Sequence, residues 1–130
     1  RTYLTGLSMG GYGTWDMAMR APGRFAALIP VCGGVVHPRR PSMGVSGIDS
    51  AADPYAAVAG RLKDTPVWQF HGAKDDAVSP EYSRLMDAAL QASGARDARL
   101  TIFPDANHNS WDPTYSQTPE LWTWLFAQKR

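Results

Sequence analysis

The chain has 130 residues, of which 44% are hydrophobic and 19% charged, and a formal net charge of +1; this balance describes one globular domain and excludes disordered and fibrous classes. Near-neutral charge gives no electrostatic reason to expect nucleic acid or an anionic membrane as a partner, and no apolar run is long enough to read as a membrane span. Cys32 is the single cysteine, so no disulfide can form within the chain; it sits in an apolar stretch where a buried thiol is expected, and it leaves the compartment open.

The chain opens without a methionine and inside what reads as a core strand, so a piece of a longer protein is expected. Arg1-Thr2-Tyr3-Leu4-Thr5 has the β-branched and aromatic content of a strand, and Tyr12 to Arg20 reads as a helix ended by Ala21-Pro22-Gly23. Between them lies Gly6-Leu7-Ser8-Met9-Gly10. Strand, Gly-x-Ser-x-Gly, helix is the context of a nucleophile elbow, in which glycines at 6 and 10 are expected to leave room for the turn and Ser8 is pushed into the open.

Phe25 to Cys32 is a continuous apolar run, as a strand buried on both faces should be, and Gly33-Gly34 stops it. From residue 34 to about Asp53 the composition turns to Gly, Pro and Ser with the pair Arg39-Arg40, a long loop and a candidate cleft-lining segment. Pro54 to Leu62 reads as a short helix with Asp53 at its N-cap, and Thr65 to Gly72 as the third strand. Ser79-Pro80 opens the next helix, whose Tyr82, Leu85, Met86, Ala89 and Leu90 recur at helical spacing until Gly94. Arg99 to Phe103 is the fourth strand, and Thr118-Pro119-Glu120 opens a last helix with Leu121, Trp122, Leu125 and Phe126 on its buried face. The alternation predicts an α/β chain with a mostly parallel sheet of about four strands in three layers, α/β/α.

In such a sheet reactive groups gather at the carboxyl ends of strands. Ser8 follows the first strand, Asp75 lies after the third and His108 after the fourth. A seryl hydroxyl needs an imidazole to take its proton, and the imidazole needs a carboxylate to fix its tautomer; the chain order Ser, Asp, His is the one that accompanies Gly-x-Ser-x-Gly. Asp76, Asp105 and Asp112 compete as the acid, the last two being better placed to cap turns. His71, before Gly72, reads as a structural hydrogen-bonder that shapes the acid loop, and His37 as solvated. The three scattered histidines lack metal-ligand spacing, so no metal is expected.

Gly6-Leu7-Ser8-Met9-Gly10-Gly11, Val67-Trp68-Gln69-Phe70-His71-Gly72-Ala73-Lys74-Asp75-Asp76 and Pro104-Asp105-Ala106-Asn107-His108-Asn109-Ser110-Trp111 together resemble the esterase branch of the α/β-hydrolases. That branch holds phospholipase/carboxylesterase-like proteins, feruloyl and acetylxylan esterases, polyhydroxybutyrate depolymerases and predicted peptidases. The resemblance covers the whole chain but only the C-terminal half of such a fold, so it implies a single truncated domain over 1–130. It implies Asp75 as the acid through H-G-x-x-D, with Asp76 its neighbour, His108 as the base, and the Met9 N–H as an oxyanion-hole donor. A second donor would come from an earlier strand's loop, and losing one such donor typically costs ~10²–10³ in kcat.

The reading that follows is a serine carboxylester hydrolase for short acyl esters, needing no metal or organic cofactor. The alternatives are a peptidase or acyltransferase on the same triad, or a catalytically weak half-domain serving as an assembly module. Trp111 and Tyr115, beside His108, are candidate substrate-binding walls, unless they pack under the loop. By the same resemblance the first strand lies mid-sheet, so its edge with Tyr3 and Leu4 is left open; a homo-oligomer through that edge is expected, with a separate fragment covering it as the alternative.

Overall fold

The computed structural model describes residues 2–37, 39–40, 42, 44–46 and 53–129, so part of the expected 34–53 loop lies outside the described residues. Four strands, β1 (Tyr3–Leu7), β2 (Ala27–Val31), β3 (Val67–Gly72) and β4 (Ala98–Phe103), form one parallel sheet in the order β1-β2-β3-β4. Helices α1 (Met9–Arg20), α2 (Pro54–Leu62) and α3 (Glu81–Ala92) connect successive strands, and α4 (Trp111–Ser116) and α5 (Pro119–Phe126) follow the last.

Alternation along β2 shows how the layers form. Leu28 packs with Trp15 and Ala18 of α1, Val58 and Leu62 of α2 and Met86 and Leu90 of α3. Ala27, Ile29 and Val31 point the other way, toward Leu121, Trp124 and Leu125 of α5. The three connecting helices thus share one face and α5 covers the other, which is the expected three-layer α/β/α arrangement.

Pro30 stands inside this interior strand, where a proline is normally excluded. On the side facing β3, the Leu28 N–H donates to the Pro66 carbonyl at 2.9 Å and the Cys32 N–H to the Phe70 carbonyl at 2.8 Å. The missing amide falls between these two bonds, so the strand gives up one rung and keeps its register.

Local signals mostly act as the sequence leads one to expect. The Asp53 carboxylate accepts from the Ala56 N–H at 3.1 Å and caps α2, and Ser79 Oγ accepts from the Glu81 N–H at 3.2 Å at the start of α3. Thr118 differs: its hydroxyl donates to the Pro113 carbonyl at 2.8 Å and ties α4 to α5 instead of capping α5. Helix α4 itself was not expected, because six residues are too few to show a period and Pro113 falls inside them.

Candidate active site

Ser8 sits where β1 becomes α1, with φ 55° and ψ −117°, a conformation that L-residues adopt only when the surroundings impose it. Its N–H donates to the Val31 carbonyl at 2.9 Å and approaches Cys32 Sγ at 3.2 Å. Its carbonyl accepts from the Gly11 and Tyr12 N–H groups and starts the helix. A side chain at Gly6 would run into the Gly10 carbonyl, so that glycine is required by the close approach. Gly10 faces open space, against the expectation that it too makes room; the second tight position is Gly11, packed against Gly33 and the Val31 carbonyl.

Two loops come together opposite the serine. A side chain at Gly72 would meet the Ala106 and Asn107 carbonyls, so the bare glycine lets the loop after β4 cross the end of β3. The Lys74 N–H then donates to the Ala106 carbonyl at 2.9 Å and fastens the two loops. Asp75 is buried between them, and its Oδ1 accepts from the Ala77 and Val78 N–H groups at 2.9 and 2.8 Å. Its Oδ2 lies 2.7 Å from His108 Nδ1, and His108 Nε2 lies 2.9 Å from Ser8 Oγ. A carboxylate only accepts, so Nδ1 carries the proton and Nε2 presents a lone pair to the seryl hydroxyl. The structure therefore brings Ser8, His108 and Asp75 into one chain of hydrogen bonds, and Asp76 is exposed instead.

His71 completes the acid loop. A carbonyl can only accept, so Nε2–H donates to the Val78 carbonyl at 2.8 Å, and Nδ1 accepts from the Ser83 hydroxyl at 2.7 Å. Nε2 also lies 3.2 Å from Asp75 Oδ2. Burial lowers the pKa of this imidazole, against the partial support of the Val78 carbonyl and Asp75, and keeps it neutral.

Met9 occupies the first position of α1, where an N–H has no intrahelical partner, and the residue is 62% exposed. Trp111 meets the His108 ring edge-on at 5.7 Å. The Tyr115 hydroxyl donates to Thr5 Oγ1 at 2.6 Å, while Thr5 Oγ1 donates to the Ile29 carbonyl at 2.7 Å. Both aromatic rings pack against the core under α5. His37 differs from its solvated reading: its Nδ1 accepts from the Arg39 and Arg40 N–H groups at 3.1 and 2.9 Å, and its ring lies 5.4 Å from that of Tyr12.

Cys32 is the residue that sequence reasoning missed. It is fully buried, has φ 44°, and its thiol pKa is pushed up by burial. The signal was the register: Leu7 pairs with Val31, so the next residues, Ser8 and Cys32, are lateral neighbours. Cys32 Sγ, an Asp75 oxygen and a His108 nitrogen lie within 4.8 Å of one another.

Comparison with known proteins places this geometry in a wider setting. A thermostable esterase of known structure is 38% identical, superposes over 100% of this chain and 31% of its own with a TM-score of 0.80. The acylaminoacyl peptidase of Pyrococcus horikoshii shares the fold at 16% identity, over 100% of this chain and 25% of its own, with a TM-score of 0.75. An uncharacterized secreted protein of Arthroderma benhamiae is 33% identical over 116 residues, 81% of this chain and 12% of that protein. The chain thus spans only a minor part of these relatives. The fold is that of the α/β-hydrolases, and the model of the prolyl oligopeptidase family matches residues 48–129, a stretch that includes both Asp75 and His108. By that match, the chain belongs to the prolyl oligopeptidase family.

Proposed function

We propose that the chain carries the nucleophile, base and acid of a serine hydrolase that cleaves short-chain carboxylic esters through an acyl-enzyme. The observation that carries this reading is the pair of contacts from His108, 2.9 Å to Ser8 Oγ and 2.7 Å to Asp75 Oδ2. Ser8 Oγ attacks the ester carbonyl as its proton passes to His108 Nε2, and the Met9 N–H faces the oxygen that becomes negative. His108 then returns the proton to the departing alcohol. Water repeats the sequence on the acyl-serine and frees the acid. Asp75 stays ionised throughout and stabilises the imidazolium.

The esterase that shares 38% identity over the whole chain supports an ester as the substrate. The family's description supports a second reading, cleavage of an amide bond by the same residues. Hydrolysis of 4-nitrophenyl butyrate and of a peptidyl 4-nitroanilide, each compared with the Ser8→Ala variant, separates the two. The expected result is ester turnover that falls by ~10⁴–10⁶ in the variant, with the anilide cleaved far more slowly. Equal rates in both proteins would overturn the reading.

A further inference from the structure

A cleft of about 510 Å³ has Tyr12, His37, Arg39, Arg40, Asp76 and Tyr82 in its walls. Two of its wall residues are tied to the Ser8–Asp75 group: the Tyr12 N–H donates to the Ser8 carbonyl at 3.2 Å, and Asp76 follows Asp75. Three features of the wall are unusual together. First, neither guanidinium has an ion-pair partner among the described residues, although both side chains line the same space. Second, the two arginines are held by their backbones, since both N–H groups converge on His37 Nδ1. Third, Tyr12 is only 1% exposed, and its hydroxyl has no hydrogen-bond partner among the described residues. A buried, unpaired hydroxyl is rare in a finished structure and marks a group waiting for an acceptor. Burial pushes its pKa up to about 12, so it stays a donor at any ordinary pH.

We propose that this cleft is a carboxylate subsite, so that the ester acted on at Ser8 carries a free carboxylate on the arm that reaches Arg39, Arg40 and Tyr12. The inference rests on the hydrolase reading above and names its substrate class. Guanidinium groups match a carboxylate in pairs of parallel hydrogen bonds. Asp76 is the one acid among the described wall residues, and with Arg39 and Arg40 it gives them a net charge of +1 with His37 neutral. That suits a single negative charge and disfavours a phosphate dianion. The ring of Tyr82, which is partly exposed on the cleft wall, gives the hydrocarbon arm an apolar surface.

The test uses mono-4-nitrophenyl adipate and its neutral methyl ester with the full chain, with the Ser8→Ala rate subtracted. The expected kcat/KM is about tenfold or more higher for the charged ester, and that ratio should fall to about one in Arg39→Gln/Arg40→Gln and severalfold in Tyr12→Phe. A ratio at or below one in the unaltered chain overturns the proposal, whether or not the variants fold. Calorimetric titration with adipate separates the two readings. Saturable binding that weakens about tenfold in the double arginine variant supports the subsite even if neither ester is cleaved, a result that would overturn the hydrolase reading alone. No saturable binding of adipate overturns the subsite even if 4-nitrophenyl butyrate is turned over.

Discussion

Ser8 and Asp75 lie beyond the ends of two strands of one sheet, on opposite sides of His108, yet they are held in different ways. Ser8 is only half-buried, and among the described residues its side chain makes one hydrogen bond, to the histidine. Its position comes from the backbone: a left-handed φ, a glycine that admits the turn, and an amide fixed to the end of β2. Asp75 is buried, and its position comes from side-chain bonding to the Ala77 and Val78 amides, His108 and, at longer range, His71. Ser8, the proposed nucleophile, is thus set by strain, and Asp75, the proposed acid, by saturation. A reactive oxygen must meet substrate and cannot be walled in by partners, whereas a carboxylate that only steers an imidazole can be.

The contrast can be broken from either side. On the acid side, Asp75→Asn keeps an acceptor for the Ala77 and Val78 amides but turns an NH₂ group toward His108 Nδ1. The proton is then forced onto Nε2, so kcat should fall by about 10⁴ while the circular dichroism spectrum is retained. On the nucleophile side, Gly6→Ala drives a methyl group into the Gly10 carbonyl. It should cost about 1–3 kcal/mol of stability, read as a lower thermal midpoint, with activity falling as the turn relaxes. Arg39→Gln, which touches neither feature, should leave both thermal midpoint and spectrum close to those of the unaltered chain.

The smallest effect sharpens the contrast through pH. His71 has a pKa below its value in the unfolded chain, so on acidification the unfolded chain takes up the proton first. Its contribution to stability is complete above about pH 6.5 and declines as the pH falls from there through the lowered value. In His71→Gln the thermal midpoint should therefore drop less between pH 7 and pH 5 than in the unaltered chain. An identical drop would remove His71 from the account of how the acid loop is held.

Much of this was legible in the residues. The four strands and the alternation of layers follow from apolar runs and turn residues, and the Ser, Asp, His order follows from local motifs that each act within a few residues. What stayed hidden depends on register or on packing. Cys32 meets the Ser8 amide across 24 residues, and only the pairing of Leu7 with Val31 reveals it. Gly11 was passed over for Gly10 because the pentapeptide names the latter, while the close approach comes from Gly33 on the neighbouring strand's exit. His37 carried no local sign that two following amides would converge on it. Pro30 would by itself argue against an interior strand, and only the position of the lost rung shows why it is accepted.

The edge position of β1 has a consequence for the serine. Among the described strands β1 pairs with β2 alone, so both backbone contacts that hold the Ser8 amide point the same way. The opposite side of Tyr3–Leu7 carries the strand's outward-facing amides and carbonyls. By linkage, a segment docked along that edge would stiffen the turn only as far as it bound the strained form better than the relaxed one, and a chemical probe of Ser8 would then report an event on the far side of the strand.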